Sequence, residues 1–324
     1  MTKIPVWDAH TCVPLLPEYD LASLQHHIDC GAYYISINIG MDMNPLDKII
    51  QIIAGFRKRI NELDFLIQVE TFADVARAKR EGKLAVSFDL EGGLPLCESP
   101  AMVALFACLG VHQIHLAYNR NNTLAGGCHD KDQGLTAKGK AIVDAINANQ
   151  LFMDVSHTGY KTSMDIFAYS NKPVIISHGN PRALKDHERN YKDDQLRACS
   201  ATGGVVCING VARFLNSPDA SAQSMVETLD YLVQLIGPKH VGFGLDYVYD
   251  SYLDKGPEGL DSAYWWPPEH GYDPDSDGFL NLKYAPPDRF LEISDLLEKR
   301  GYKQSDIKAI YGGNMFNLAK KIWR

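Results

Sequence analysis

Eight short apolar runs alternate with helical patterns along almost the whole chain. The runs are rich in Val, Ile and Phe and mostly lack polar alternation, which is typical of strands buried on both faces. The predicted strands are residues 5–8, 33–39, 84–90, 113–117, 151–156, 173–177, 204–209 and 241–245. Strand–helix alternation repeated eight times predicts parallel βα units that close into an α/β fold, a distorted (β/α)8 TIM-like barrel.

Apolar residues at helical spacing separate these strands. The predicted helices are residues 45–63, 71–80, 100–108, 136–149, 194–201 and 221–236, followed by 289–299, 305–310 and 314–323. Residues 65–69 are predicted to form an extra short strand outside the barrel. The 324 residues contain no internal repeat and no linker, so we predict one barrel domain over residues 1–324.

One segment, residues 247–288, breaks the alternation. It is rich in Pro, Gly and Asp, and its aromatic residues Tyr264, Trp265 and Trp266 argue against disorder. Because it follows the eighth strand, we expect this long loop at the mouth of the barrel. Two roles stay open: a lid over the mouth, or a structural role in which its aromatic residues pack as a subunit interface or a satellite core.

Composition and charge exclude some classes of partner. The net charge of −8 and the pI of about 5.7 argue against nucleic acid or an anionic membrane as a partner. Seven cysteines without a repeating spacing do not predict a disulfide framework. The first strand begins at once, with no apolar signal region before it, so the expected location is the cytoplasm.

Five potential metal ligands stand at the C-terminal ends of predicted strands. They are His10, Glu91, His157, His178 and Asp246, which close the runs VWDAH, LAVSFDLE, LFMDVSH, PVIISH and HVGFGLD. One such residue is more often a satisfied polar side chain or a helix cap. A parallel barrel, however, gathers all these strand ends at one mouth. Imidazoles and carboxylates suit zinc or a similar divalent ion, which indicates a metal-dependent hydrolase.

The chemistry of a two-ion site suggests a division of these ligands. Glu91 has two oxygens and could bridge both ions, while His157 and His178 hold one of them. His10 would hold the other with a donor two positions along the same strand face, which is Cys12. Cys12 is either a thiolate ligand or simply a small buried side chain.

Asp246 would then be available for acid–base work. It could take a proton from the bridging water and pass it to the leaving amine. The alternative is a structural role as a helix or turn cap.

The ordered motifs DAHTC, FDLEGG, DVSH, PVIISH, ERNYKDDQLR and HVGFGLDY resemble the membrane (renal-type) dipeptidase family of the amidohydrolase superfamily, over nearly the whole chain. The resemblance implies a distorted (β/α)8 barrel that binds two zinc ions and hydrolyses dipeptides, including those with a D-residue at the C-terminal position. It also suggests a homodimer.

The resemblance implies a role for each matching residue. His10 falls on a ligand of the first zinc, Glu91 on the bridging carboxylate, and His157 and His178 on ligands of the second zinc. Asp246 falls on the aspartate that moves the proton. Arg189 falls on the arginine that binds the substrate carboxylate, although the sequence alone would have placed it on a solvated surface.

Two positions depart from the family pattern. Cys12 replaces an aspartate that binds zinc, so the first site either uses a thiolate or is weak or empty, and a single ion remains an alternative. Tyr118 stands where a histidine often contacts the tetrahedral intermediate. A phenol can still donate one hydrogen bond to a developing oxyanion, which would give Tyr118 a catalytic and substrate-binding role. His115 is a weaker substitute, better explained as a packed barrel residue.

Two other functions stay open at this stage. A related amidohydrolase activity on an acylated amino acid or a lactone would use the same metal site, since one fold carries many reactions. A barrel that has lost its chemistry and acts as a binding protein is a third reading, which Cys12 allows but the remaining ligands disfavour.

Overall fold

Eight parallel strands follow one another around a nearly closed barrel. The computed structural model describes residues 3–253, 256–272 and 282–323. Within them the strands are Val6–Cys12 (β1), Ala32–Met41 (β2), Leu66–Gln68 (β3), Leu84–Glu91 (β4), Val111–His115 (β5), Phe152–Asp154 (β6), Val174–Ile175 (β7), Val206–Ile208 (β8), Val241–Phe243 (β9) and Tyr247–Val248 (β10). The barrel order is β7-β6-β5-β4-β2-β1-β9-β8, and a parallel bridge between Ile176 and Val206 joins its two ends. The predicted barrel is confirmed.

The helices connect consecutive strands and cover the barrel. They are Gln25–Asp29 (α1), Leu46–Glu62 (α2), Phe72–Glu81 (α3), Pro100–Cys108 (α4), Ala137–Ala148 (α5), Tyr160–Tyr169 (α6), Asp193–Ala201 (α7), Ala222–Ile236 (α8), Ser262–Trp265 (α9), Arg289–Lys299 (α10), Gln304–Lys308 (α11) and Asn314–Ile322 (α12). Helices α1, α6 and α9 were not predicted from the sequence. None of the helices in the described ranges combines the length and the apolar character needed to cross a membrane.

Several predicted strand boundaries are wrong, and the differences in β6 and β7 have a visible cause. β1 extends to Cys12 instead of ending at Asp8, so two candidate ligands lie within the strand. β6 and β7 are shorter than predicted. The carboxylate Oδ1 of Asp154 accepts the backbone N–H groups of Ser156 at 2.9 Å and Ser177 at 3.2 Å, and so replaces strand-to-strand bonds there.

Polar pairs between β2 and β4 stabilise this side of the barrel. Ser36 Oγ donates to Asp89 Oδ2 at 2.6 Å, and Asn38 Nδ2 donates to Glu91 Oε2 at 2.6 Å. All four residues are buried, so each carboxylate depends on its hydrogen bonds to offset the loss of water. This polar ladder fixes Glu91 at the end of β4.

The 247–288 segment begins as a strand. β10 pairs in parallel with the end of β1, and Cys12 stands opposite Val248. Residues 254–255 and 273–281 lie outside the described part. Elsewhere the segment is less irregular than expected, because it contains α9 and 3-10 turns at Ser251–Leu253 and Pro268–His270. Trp266 and Tyr272 pack in one apolar cluster with Met41, Tyr118 and Phe214.

Candidate active site

Three imidazole nitrogens converge on one carboxylate oxygen at the mouth of the barrel. Glu91 Oε1 lies 2.9 Å from His157 Nε2 and 3.3 Å from both His178 Nε2 and His10 Nε2. The two nitrogens of His157 and His178 are themselves 2.9 Å apart. The structure thus brings together four ligands that the sequence placed on four separate strands.

Outer partners determine which ring nitrogen of each histidine carries the proton. Nδ1 of His157 lies 2.7 Å from Asn119 Oδ1, and Nδ1 of His10 lies 3.3 Å from Asp89 Oδ1. Both oxygens can only accept, so they favour a proton on Nδ1. His178 Nδ1 has the Ser177 hydroxyl at 2.8 Å, which can accept in the same way.

This arrangement turns lone pairs of Nε2 towards the oxygen of Glu91. With the three histidines neutral, these buried atoms are acceptors that have Arg189 Nη2 as a donor near His157 Nε2, and a cation among them would satisfy all of them. The donor set therefore fits a divalent metal ion.

Among the described residues, three overlapping groups of potential metal ligands lie at this site. One is His10 with His178 and Asp246, and the other two share Glu91. Glu91 with His157 and His178 is one of these two, and Glu91 with His10 and Cys12 is the other, and within each group the ligand atoms lie within 4.8 Å of one another. Cys12 Sγ is 3.5 Å from His10 Nε2. Glu91 belongs to two of the three groups, which is the position a bridging carboxylate needs.

The buried charges perturb one another. Burial raises the pKa of Glu91 to about 7, against the opposing effect of His10 and His115. Burial and the Arg189 guanidinium hold the pKa of His157 well below its usual range. The pKa of His10 is raised, since the carboxylates of Asp89 and Glu91 outweigh its burial. Perturbed pKa values in a cleft are typical of functional sites.

Asp246 lies beside this cluster. Its Oδ1 is 3.6 Å from His10 Nε2 and 3.9 Å from Cys12 Sγ, while Oδ2 accepts a hydrogen bond from Asn209 Nδ2 at 2.9 Å. Burial raises the pKa of Asp246. One carboxylate oxygen is thus held by the protein and the other faces the candidate ligands.

Two site residues have backbone conformations that are rare for their residue types. His157 has φ of 67° and Asp246 has φ of 56°, both in the left-handed region. Such conformations cost on the order of 1–3 kcal/mol and cluster at functional sites. Each residue lies three positions beyond the last residue of its strand, β6 for His157 and β9 for Asp246.

Arg189 is buried, contrary to what its sequence context alone would suggest. Its Nη2 lies 3.2 Å from His157 Nε2 and 3.5 Å from the carbonyl oxygen of His178. The ring of Phe214 lies 5.5 Å from the centre of the guanidinium. Among the described residues, no carboxylate lies at hydrogen-bond distance from this buried cation, which makes it well suited to receive an anion.

Tyr118 forms another wall of the site. Its ring stacks on His157 with centroids 4.3 Å apart, and its hydroxyl accepts a hydrogen bond from Trp266 Nε1 at 3.1 Å. Since the indole uses an oxygen lone pair, the hydroxyl proton can still be donated. Nε2 of His115 instead lies 2.7 Å from Asp154 Oδ2, with both residues buried in the barrel.

A cavity opens above these groups and is mostly apolar. The lining residues are Cys12, Val13, Leu15, Asn38, Met41, Glu91, Tyr118, Asn119, His157, Arg189, Val211, Phe214, Asp246, Val248, Trp266, Tyr272, Leu282 and Tyr284. Sequence reasoning did not find Asn38 and Asn119, which orient Glu91 and His157. Asn38 could have been found, because it is a polar residue near the end of a buried strand. The sequence around Asn119 gives no comparable signal.

Solved structures with the same fold include an amidohydrolase and a metallo peptidase. An amidohydrolase from Pseudomonas aeruginosa superimposes with a TM-score of 0.84 at 23% identity, covering 98% of this chain and 97% of that one. A metallo peptidase from Rhodobacter sphaeroides, liganded with a phosphinate mimic of L-Ala-D-Ala, superimposes with a TM-score of 0.78 at 18% identity, covering 99% and 100%. These likenesses support the fold.

Sequence relatives carry the family assignment. Dipeptidase aclJ of Aspergillus oryzae is 28% identical over 306 residues, which cover 89% of this chain and 66% of the relative. An uncharacterized dipeptidase of Schizosaccharomyces pombe is 30% identical over 201 residues, 60% of this chain and 48% of that protein. The chain therefore spans about half to two thirds of the length of these relatives. A family model for membrane dipeptidase, peptidase family M19, matches residues 18–266, so the protein belongs to that family.

Proposed function

We propose that the protein is a zinc-dependent dipeptidase. The observation that carries the proposal is the convergence of His10, His157 and His178 on one oxygen of Glu91, with Arg189 at 3.2 Å from the same cluster. A metal-binding group beside a buried cation matches a substrate with a scissile amide close to a free carboxylate. Family membership and the relatives named as dipeptidases support this reading.

Two zinc ions would be held by five side chains: His10, Cys12 and Glu91 for one ion, and Glu91, His157 and His178 for the other. When bound, such ions lower the pKa of water and polarise a carbonyl. Because Cys12 supplies a softer donor than a carboxylate, the ion that it contacts is the more sensitive to the choice of metal.

The remaining side chains act on the substrate and its protons. Arg189 binds the C-terminal carboxylate with its planar fork and so sets the distance to the amide. Tyr118 donates its hydroxyl proton to the developing oxyanion. Asp246 accepts a proton at Oδ1 and delivers it to the leaving amine, while Asn209 holds Oδ2 in place.

A free carboxylate next to the scissile bond is available in both L-L and L-D dipeptides. We propose that a D-residue is accepted at the C-terminal position, as the family resemblance implies. We further propose a homodimer in the cytoplasm. The seven cysteines, all free, are consistent with a reducing compartment.

Metal content and turnover together test the proposal. The chain is loaded with zinc, desalted and measured by plasma mass spectrometry, then assayed on a panel of L-L and L-D dipeptides. Two ions per chain together with dipeptide turnover would support the two-zinc mechanism. One ion with turnover requires a mononuclear mechanism, and a loaded enzyme that cleaves no dipeptide on a broad panel contradicts the proposal.

One observation favours a second candidate, hydrolysis of an N-acylated amino acid. Among the described residues that line the cavity, the carboxylates are Glu91 and Asp246, and both already have roles. A substrate without a free ammonium would need no further carboxylate. Comparing L-Leu-L-Ala with N-acetyl-L-Ala in the same assay separates the two activities.

A further inference from the structure

Both ring nitrogens of His187 form hydrogen bonds, and both partners are backbone groups. The N–H of Arg189 donates to Nδ1 at 3.0 Å, and Nε2 lies 3.0 Å from the carbonyl oxygen of His270. Because Nδ1 accepts, the single proton of the neutral ring stands on Nε2 and is donated to His270. One neutral tautomer satisfies both bonds.

The two partners belong to different parts of the cavity. Arg189 places its guanidinium against the candidate metal ligands, 3.2 Å from His157 Nε2. His270 belongs to the 247–288 segment, which also supplies Trp266 and Tyr272 to the cavity wall. One imidazole therefore joins the candidate carboxylate-binding residue to a segment that forms part of the cavity wall.

The surroundings of His187 favour this neutral form. The ring is buried and packs on Phe214, with centroids 4.8 Å apart. The titratable or charged groups around it are Arg189, Arg213, Glu188, His129, His270 and Tyr272. Burial lowers the pKa of His187 to about 4, against the opposing effects of the His270 carbonyl and Glu188. A proton on Nδ1 would remove the acceptor for the Arg189 N–H.

We propose that His187 is a positioning residue that sets Arg189 for the substrate carboxylate and couples it to the seating of residues 256–272 over the cavity. This role rests on the proposed function, since it acts through Arg189. His187 itself does not contact the reacting atoms.

Three substitutions separate the two hydrogen bonds. Asparagine at 187 can accept the N–H two residues later, as in an Asx turn, but is too short to reach His270. Glutamine extends a donor towards the position of Nε2. The variant His187→Phe keeps a planar ring against Phe214 and loses both bonds.

The experiment measures kcat and KM on a dipeptide, tryptophan emission and zinc content for the wild type and all three variants. We expect His187→Phe to raise KM about tenfold with a smaller change in kcat, from loss of the bond to Arg189. In the variant His187→Asn, which keeps the acceptor for the Arg189 N–H, KM should stay close to the wild-type value. The emission of the four tryptophans includes that of Trp265 and Trp266, whereas Trp7 and Trp323 lie in a separate buried cluster. We expect the emission to shift in His187→Phe and His187→Asn and to stay near wild type in His187→Gln.

The outcomes distinguish this proposal from the proposed function. A wild type that cleaves nothing contradicts the dipeptidase assignment. In that case calorimetric binding of L-Leu-L-Ala to the wild type and to His187→Phe replaces KM. Equal KM or equal Kd in these two proteins overturns the positioning of Arg189. Unchanged emission in His187→Asn overturns the coupling to residues 256–272, and equal losses of kcat in all three variants would indicate a purely structural role.

Discussion

Arg189 contacts the ring nitrogen of His157 that faces the candidate metal site. Nη2 of Arg189 lies 3.2 Å from His157 Nε2, the same nitrogen that lies 2.9 Å from Glu91 Oε1. A cation bound there would repel the guanidinium. We therefore expect metal binding to turn Arg189 towards the cavity, which brings its fork to the place where a substrate carboxylate enters. The metal and the arginine then recognise adjacent parts of one small molecule.

Replacing Arg189 with alanine should raise KM for a dipeptide about 100-fold, with a smaller change in kcat. The physical reason is the loss of a buried, charge-assisted contact, for which truncation costs about 2–5 kcal/mol. The variant Arg189→Lys keeps the charge without the planar fork, so its KM should lie between the values of the wild type and of Arg189→Ala. Steady-state kinetics on a free dipeptide and on its C-terminal amide measure the effect, and an unchanged preference for the free acid in Arg189→Ala would refute it.

Replacing Asp246 with asparagine should lower kcat by about 10²–10⁴-fold, the range for loss of a proton-transfer group. Zinc content should remain at the wild-type value, because the amide preserves the shape of the side chain and its contact with Asn209. A matched control is Asn209→Ala, which leaves the carboxylate but removes its donor and should reduce kcat less. If Asp246→Asn retains more than a tenth of wild-type kcat, Asp246 is not the proton carrier.

Stability should decrease as the pH falls from 6.5 towards 4, and His187 should be one cause. Its pKa is about 4 in the folded protein and about 6.5 in an unfolded chain. In this window the unfolded state binds the proton and the folded state does not, so acid favours unfolding. Above pH 6.5 His187 is neutral in both states, so its contribution to the free energy of unfolding is fully present.

The matched comparison for this effect is wild type against His187→Phe. Between pH 7 and pH 5 the wild type should lose about 2 kcal/mol more free energy of unfolding than the variant. Urea titrations of both metal-free proteins at the two pH values measure the difference. Parallel losses in the two proteins would show that His187 does not titrate as described.

The sequence predicted the barrel and the candidate ligands because both depend on local patterns. A strand buried on both faces has a recognisable composition, and the residue that ends it lies at the mouth by topology alone. His157 and His178 could therefore be brought together before any contact was known. The helix Tyr160–Tyr169 was missed because Gly159 precedes it without a side-chain cap and its apolar residues are interrupted by polar ones.

The outer partners of the site could not be predicted in the same way. Asn119 contacts His157, 38 residues away, and Asp89 on β4 contacts His10 on β1 across the intervening strand β2. Both contacts depend on side-chain direction and on the irregular register between strands, and neither can be predicted from the spacing of apolar residues in the sequence. The burial of Arg189 likewise depends on how its loop folds back over the mouth, held by His187.

Cys12 should bind metal as a thiolate when the site is loaded. In the absence of a cation, burial raises the pKa of Cys12, so the thiol is protonated, and a bound divalent ion would replace that proton. Cobalt(II) in place of zinc should then give the wild type a near-ultraviolet sulfur-to-metal absorption. The band should be absent from Cys12→Ser and Cys12→Asp and present in Cys108→Ser, a control at an exposed cysteine.

Metal content separates the two Cys12 variants from each other. An aspartate restores a charged oxygen donor, so Cys12→Asp should hold two ions per chain, with the preference moved from softer towards harder metals. A serine hydroxyl is a weak donor, so Cys12→Ser should hold the second ion, at His157 and His178, tightly. It should lose the first ion at least about 100-fold more readily than the wild type does, at the upper end of or above the effect of removing an outer-shell partner. A wild type that binds two ions without the absorption band would mean that His10 and Glu91 hold the first ion without sulfur, and Cys12 would then be a small buried side chain beside the site.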